Sequence, residues 1–146
     1  LINQKNWSIK QAAKELNYDR INLSKMLSGS QNFRIKTLVK FAHFFDVPVF
    51  LLFNRLFEDE QYRKDFSFVD EDYMHVFRVN FKATSVKQSL IDLDSTTVSH
   101  IINGRRNNPT ISTLHQFAEY SNTSLSELFK TEIDKIIIKQ KEEDSI

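Results

Sequence analysis

The chain has 146 residues, 40% of them apolar, with thirteen Phe, no Cys, and a net charge of +1 from 20 basic and 19 acidic side chains. That length suits one compact unit or two small ones of roughly 65–75 residues, and zero Cys excludes disulfides, thiolate catalysis and cysteine-based zinc sites together. The longest apolar run (Val49, Phe50, Leu51, Leu52, Phe53) is far short of the roughly 20 residues that span a bilayer, and no secretory signal pattern occurs, so an intracellular, cytoplasmic chain without membrane contact is expected.

In chain order, Ser8 opens a helix whose packing face carries Ala12, Ala13 and Leu16, and Asn17 and Tyr18 make a turn. Asp19 is an N-cap for a short helix over 20–27, with Leu23, Met26 and Leu27 inward, and Gly29 is its C-cap candidate. Helices over 37–45 and 49–57 follow. The acid-rich segment 58–71 reads as a solvated linker. Beyond it, helices are expected over 72–81 (with Val76, Phe77 and Phe81 inside), over 85–91, over 95–103 behind an Asp94 cap, and over 112–120. Ser124 with Glu127 forms a capping box for the next helix. Leu125, Leu128, Phe129, Ile133, Ile136 and Ile137 keep helical spacing, so that helix is expected to run on unbroken to the charged tail. With only two Gly and two Pro and few β-branched alternations, the fold class is all-α.

The two halves repeat one another. Thr37, Leu38, Phe41, Ala42, Leu52 and Phe53 recur, at one constant offset, as Thr113, Leu114, Phe117, Ala118, Leu128 and Phe129. Upstream, Leu23, Ser24, Met26, Leu27 and Gly29 recur as Val98, Ser99, Ile101, Ile102 and Gly104, at an offset shorter by one. Two tandem five-helix modules are therefore expected, at 1–57 (its N-terminal helix truncated, since the chain begins at Leu1) and at 72–130, with 131–146 as a helical extension and charged tail. Charge follows the same division. Five bases (Arg20, Lys25, Arg34, Lys36, Lys40) and no acid occur over 20–45, whereas 58–72 holds seven acids against two bases. A basic module beside an acidic linker points to an anionic partner for the module.

The sequence Asp94-Ser95-Thr96-Thr97-Val98-Ser99-His100-Ile101-Ile102-Asn103-Gly104, followed by Asn108-Pro109, resembles the five-helix DNA-binding domain of the lambda-repressor/Cro class, the XRE-type helix-turn-helix. Asp19 to Gly29 resembles it less closely. The resemblance covers nearly the whole chain except the linker and the last 15 or so residues. It implies a reading helix laid in the major groove with its N-terminal residues at base edges. By position, that set is Ser95, Thr96, Ser99 and His100 in the second copy, and Arg20, Ile21, Ser24 and Lys25 in the first. Arg can pair bidentately with guanine, and Ser and Thr are permissive readers. Ile21 departs from the pattern and can touch only a thymine methyl or a protein. Phosphate-positioning roles fall to Arg105, Arg106, Asn107 and Asn108, and to Gln31, Asn32 and Arg34. In two further departures, the first copy has Phe33 where Pro is usual, and Lys87 stands at an apolar position.

The function implied is sequence-specific binding of double-stranded DNA by a transcriptional repressor or regulator, without enzymatic activity or cofactor. The alternative is a protein-interaction module, an antitoxin or phage-type inhibitor reusing the same fold. His43, His75, His100 and His115 form no ligand-spaced pair, so no metal is expected. Two apolar ridges, 49–57 (Val49 to Phe57) and 133–137 (Ile133, Ile136, Ile137), exceed what one module needs and are candidate seams for a homodimer or for packing within the chain.

Overall fold

The computed structural model describes residues 33–85, 91 and 93–145. The expected helices over 8–16 and 20–27, and most of 85–91, lie outside the described residues. Within them are eight α-helices, one 3-10 helix and no strand: α1 (Ile35–Phe45), α2 (Val49–Leu52), the 3-10 helix (Arg55–Glu58), α3 (Glu60–Arg63), α4 (Tyr73–Lys82), α5 (Ser95–Ile102), α6 (Ile111–Tyr120), α7 (Leu125–Leu128) and α8 (Glu132–Asp144). The chain is all-α, as its scarcity of breakers predicts.

Sequence explains most of the boundaries. Asp72, Asp94, Thr110, Ser124 and Thr131 each accept a backbone N–H with the side chain at the head of α4, α5, α6, α7 and α8, which satisfies donors the helix cannot. Helices α1 and α6 end alike. Asp46 and Asn122 both sit at φ 53°, and Val47 N–H donates to the Ala42 carbonyl as Thr123 N–H does to Ala118. A left-handed residue after the last turn lets the chain reverse while those carbonyls stay bonded. The chain then enters α2 or α7. Four-residue helices have no stability of their own, so these two exist because they pack. Val49, Phe50, Leu51 and Leu52 are at most 3% exposed, and Leu125 and Leu128 at most 5%. Full burial of such a side chain contributes about 1.5–3 kcal/mol.

Helix α2 packs on α7, its counterpart in the repeat. This disposes of the first apolar ridge: Val49 to Leu52 are enclosed inside the chain and offer no surface to a second copy. Phe57 is likewise buried, and its ring meets Phe45 edge-on. Ser126, buried at the same junction, donates to the Phe50 carbonyl at 3.1 Å.

Two further expectations give way. The last helix does not continue unbroken. It stops at Leu128, and α8 starts afresh at Glu132 behind a reciprocal capping box between Thr131 and Asp134. Asn80 holds the break open, donating to the Leu128 and Lys130 carbonyls at 2.9 Å each. The acidic segment is also more than a solvated linker. Its carboxylates at Asp59, Glu60, Asp65, Asp70 and Glu71 are exposed, but Phe66 is 1% exposed and its ring meets Phe50 edge-on. Lys141 of α8 pairs with Asp65 and lies over the Tyr62 ring. Aromatic residues alternating with acids let one strip of chain face the core and water at once.

Candidate nucleic-acid interface

Helix α5 has an inward stripe of Val98, Ile101 and Ile102, all buried. The opposite face then follows from helical geometry. Ser95, Thr96 and Ser99 are exposed and His100 half-exposed, so the second copy's expected base-facing set is brought onto one surface. Thr97, between them, is tied down, with its N–H and hydroxyl both on Asp94. Those two hydrogen bonds, the side-chain one foremost, hold the Asp94 carboxyl below its ordinary pKa. Ser99 Oγ accepts from Asn103 Nδ2 at 3.2 Å, which leaves the Ser99 O–H free to donate outward.

Past α5 the chain turns at Gly104, whose φ of +88° is one that L side chains rarely adopt. Arg105 and Arg106 follow, both exposed, on the same end of the molecule as the α5 N-terminal face: Arg106 Nη1 lies 3.5 Å from Thr97 Oγ1. Asn107, though exposed, is bonded within the protein. Its amide donates to the Gly104 carbonyl at 2.9 Å and accepts from Arg78 Nη2 at 2.7 Å.

Arg78 carries no flag in the sequence, where it reads as one charge on the polar side of α4. It donates through Nε to the Ile101 carbonyl at 2.6 Å and through Nη2 to the Arg106 carbonyl at 3.1 Å. One guanidinium thus binds the last turn of α5 and the loop behind it, with the charge where a helix C-terminus favours a cation. Partial burial lowers its pKa, and Asp72 opposes that shift. Only the fold brings Arg78 to these carbonyls, which are remote from it along the chain.

Asn108 and Arg34 meet each other. Asn108 Oδ1 accepts from Lys36 N–H at 3.0 Å, and its carbonyl accepts from Arg34 Nη1 at 2.7 Å. Helix α1 has no side-chain cap of its own; Asn108 provides one from 72 residues away. These two residues work at the junction of the halves, beside any phosphate contact. Arg20, Ile21, Ser24, Lys25, Gln31 and Asn32 lie outside the described residues. The acid-free character of the modules in sequence is not complete in space, because Glu71 and Asp72 line a groove with Lys36 and Asn107. Among the described residues no cluster of three His, Cys, Asp or Glu is placed to hold a metal, and no helix is long and apolar enough to cross a membrane.

Residues 1–52 match the helix-turn-helix family model. The match takes in α1 and α2 and ends at Leu52, so α4 to α8 fall outside it. No curated protein and no solved structure matches the chain.

Proposed function

We propose that the chain is a sequence-specific binder of double-stranded DNA, a transcription regulator of repressor type built from two tandem helix-turn-helix modules and without enzymatic activity. The observation that carries this reading is the α5 surface: a capped helix with Ser95, Thr96, Ser99 and His100 on its outer face and Arg105 and Arg106 exposed just past its end. Small hydroxyls and an imidazole at base edges, flanked by arginines for phosphates, divide the work between reading and positioning. The helix-turn-helix match over 1–52 supports the same role for the first half, where helix 20–27 presents Arg20, Ile21, Ser24 and Lys25.

Selection of bound duplexes from a random pool tests it, and a recovered motif is expected. Changing Ser99 and His100 together to Ala relaxes preference at the contacted positions, each lost base contact being worth about 1–3 kcal/mol. Recovery of no motif by the unaltered chain sinks the reading.

A second reading, a module that binds protein, rests on a separate patch. Val79 is 50% exposed, Ile133 47% and Ile136 64%, and Val79 and Ile133 line one depression. This is what remains of the second apolar ridge, Ile137 being half-buried against the core, and it is the one place left for self-association. Binding that survives high salt favours a protein partner, since phosphate contacts weaken steeply as salt rises.

A further inference from the structure

The contacts between the halves follow a rule. Arg34 and Thr110, equivalent positions of the repeat, form an antiparallel bridge. On one side of it Ile35 N–H donates to the Pro109 carbonyl at 3.0 Å, and on the other Ile111 N–H donates to the Phe33 carbonyl at 2.6 Å. Ile111 is the counterpart of Ile35 and Pro109 that of Phe33, so each bond is the image of the other with the two halves exchanged. Phe53 stacks on its counterpart Phe129, ring centres 5.6 Å apart, and Ser126 bonds its counterpart Phe50. Two copies stacked by translation would pair 33 with 109 and 35 with 111 in parallel. Reciprocal contacts with an antiparallel bridge at their centre arise only from a two-fold rotation, the arrangement of an isologous dimer. Residues 33–53 and 109–129 are therefore related by a local dyad through Arg34 and Thr110 and between Phe53 and Phe129.

We infer that this single chain takes the place of a protein dimer on DNA, so that one monomer spans two half-sites and its preferred target is not a palindrome. The inference rests on the DNA-binding reading above. A dyad between two reading modules sets half-sites about one helical turn, roughly 10 base pairs, apart. The seam fixes that spacing, because α2 and α7 are buried against each other and Asn108 caps α1 across it. The faces presented are unequal. The second half offers Ser95, Thr96, Ser99 and His100; at the matching places the first half, outside the described residues, carries Arg20, Ile21, Ser24 and Lys25. Arg and Lys favour guanine, while Ser and Thr do not discriminate in that way. A pair of identical protomers cannot tell left from right on its site. This chain can, and it binds in one orientation.

The test uses the unaltered full chain. Duplexes are selected from a random pool, the complex is weighed by analytical ultracentrifugation, and three redesigned duplexes are compared with the selected one. The expected results are two dissimilar half-sites about 10 base pairs apart and one chain per duplex. Palindromes built from either half-site alone are expected to bind at least about tenfold more weakly, since one mismatched base pair already costs about 1–3 kcal/mol. Five base pairs inserted between the halves turn one half-site to the far side of the duplex, and affinity should fall to that of a single half-site. A motif occupied by two chains, a palindrome bound best, or indifference to the insertion overturns this inference while leaving DNA binding intact. Recovery of no motif overturns the DNA reading and this inference with it.

Discussion

Helices α1 and α2 on one side and α6 and α7 on the other have the same backbone, down to a left-handed residue at the same place, yet little of their surface chemistry is shared. Inside, Leu38, Phe41 and Ala42 recur as Leu114, Phe117 and Ala118, all at most 3% exposed. Outside, Lys36, Lys40 and His43 stand opposite Ser112, Gln116 and Glu119. Close packing punishes a change of volume in the core, whereas a solvated position tolerates most substitutions. The difference at the seam is of another kind. Phe50 and Ser126 are counterparts in contact, and one large ring and one small hydroxyl fill the space that symmetry would give to two equal residues. A two-fold pair of separate chains cannot divide a site in that way; a fused pair can.

Several measurements break or sharpen this comparison. The largest effect is expected at the ring stack on the dyad. Phe129 is 0% exposed and touches both Phe53 and Phe77, while Phe53 is only half-buried. Phe129→Ala should cost about 3–5 kcal/mol and Phe53→Ala distinctly less, both read by urea denaturation. Equal losses would mean that the two sides of the stack are alike after all. Both variants should still unfold in one transition, because the seam is continuous with the core.

Next in size is the cap that crosses the seam. Asn108→Ala should lower stability by about 0.5–2 kcal/mol, the range for removing a helix cap. If protection of the Lys36 amide against hydrogen exchange is unchanged, Asn108 is not capping α1.

The two left-handed residues offer a smaller contrast. Asn122→Gly should stabilise by a few tenths up to about 1 kcal/mol, since Gly enters that region without strain. Asp46→Gly should yield less or turn unfavourable, because Asp46 Oδ1 also accepts from Phe68 N–H at 3.1 Å and ties the acidic segment to α1. Matching gains at the two sites would show that this tie contributes nothing.

The smallest effect concerns pH. Asp134 is 1% exposed, and its burial raises its pKa above the ordinary carboxylate value even though Thr131 bonds oppose the shift. A raised folded-state pKa means the folded chain holds the proton more tightly than the unfolded one. The associated stability is present in full below the ordinary carboxylate pKa and is lost as pH rises through the raised value. Asp134→Asn keeps an acceptor for Thr131 N–H and cannot ionise, so its stability should gain on wild type across that window. A constant difference between the two would place the Asp134 carboxyl in water.

Much of this molecule is legible along the chain. Helical class follows from two Gly and two Pro in 146 residues. The heads of α4, α5 and α7 follow from Asp72, Asp94 and Ser124, and the inward stripe of α5 follows from its periodicity, because caps and stripes are local and act within a turn or two. The outer face of α5 is the complement of that stripe, so Ser95, Thr96 and Ser99 could be placed on a surface before any packing was known. The repeat was equally visible, as a constant offset between matching residues. What an offset cannot carry is direction. Whether two copies stack by translation or face each other across a dyad depends on which backbone groups meet, and that is decided by the Arg34–Thr110 bridge and the α2–α7 contact. The same holds for the enclosure of Val49 to Leu52, which as a bare apolar run fits a dimer interface as well as an internal seam. It holds too for the break at Phe129, where helical spacing continues through residues that Asn80 holds out of helix, and for Arg78, whose partners lie 23 to 29 residues away. Local chemistry repeats with the helical turn, about 3.6 residues, and can be read in order. Contacts between distant segments have no period, and only the folded chain determines them.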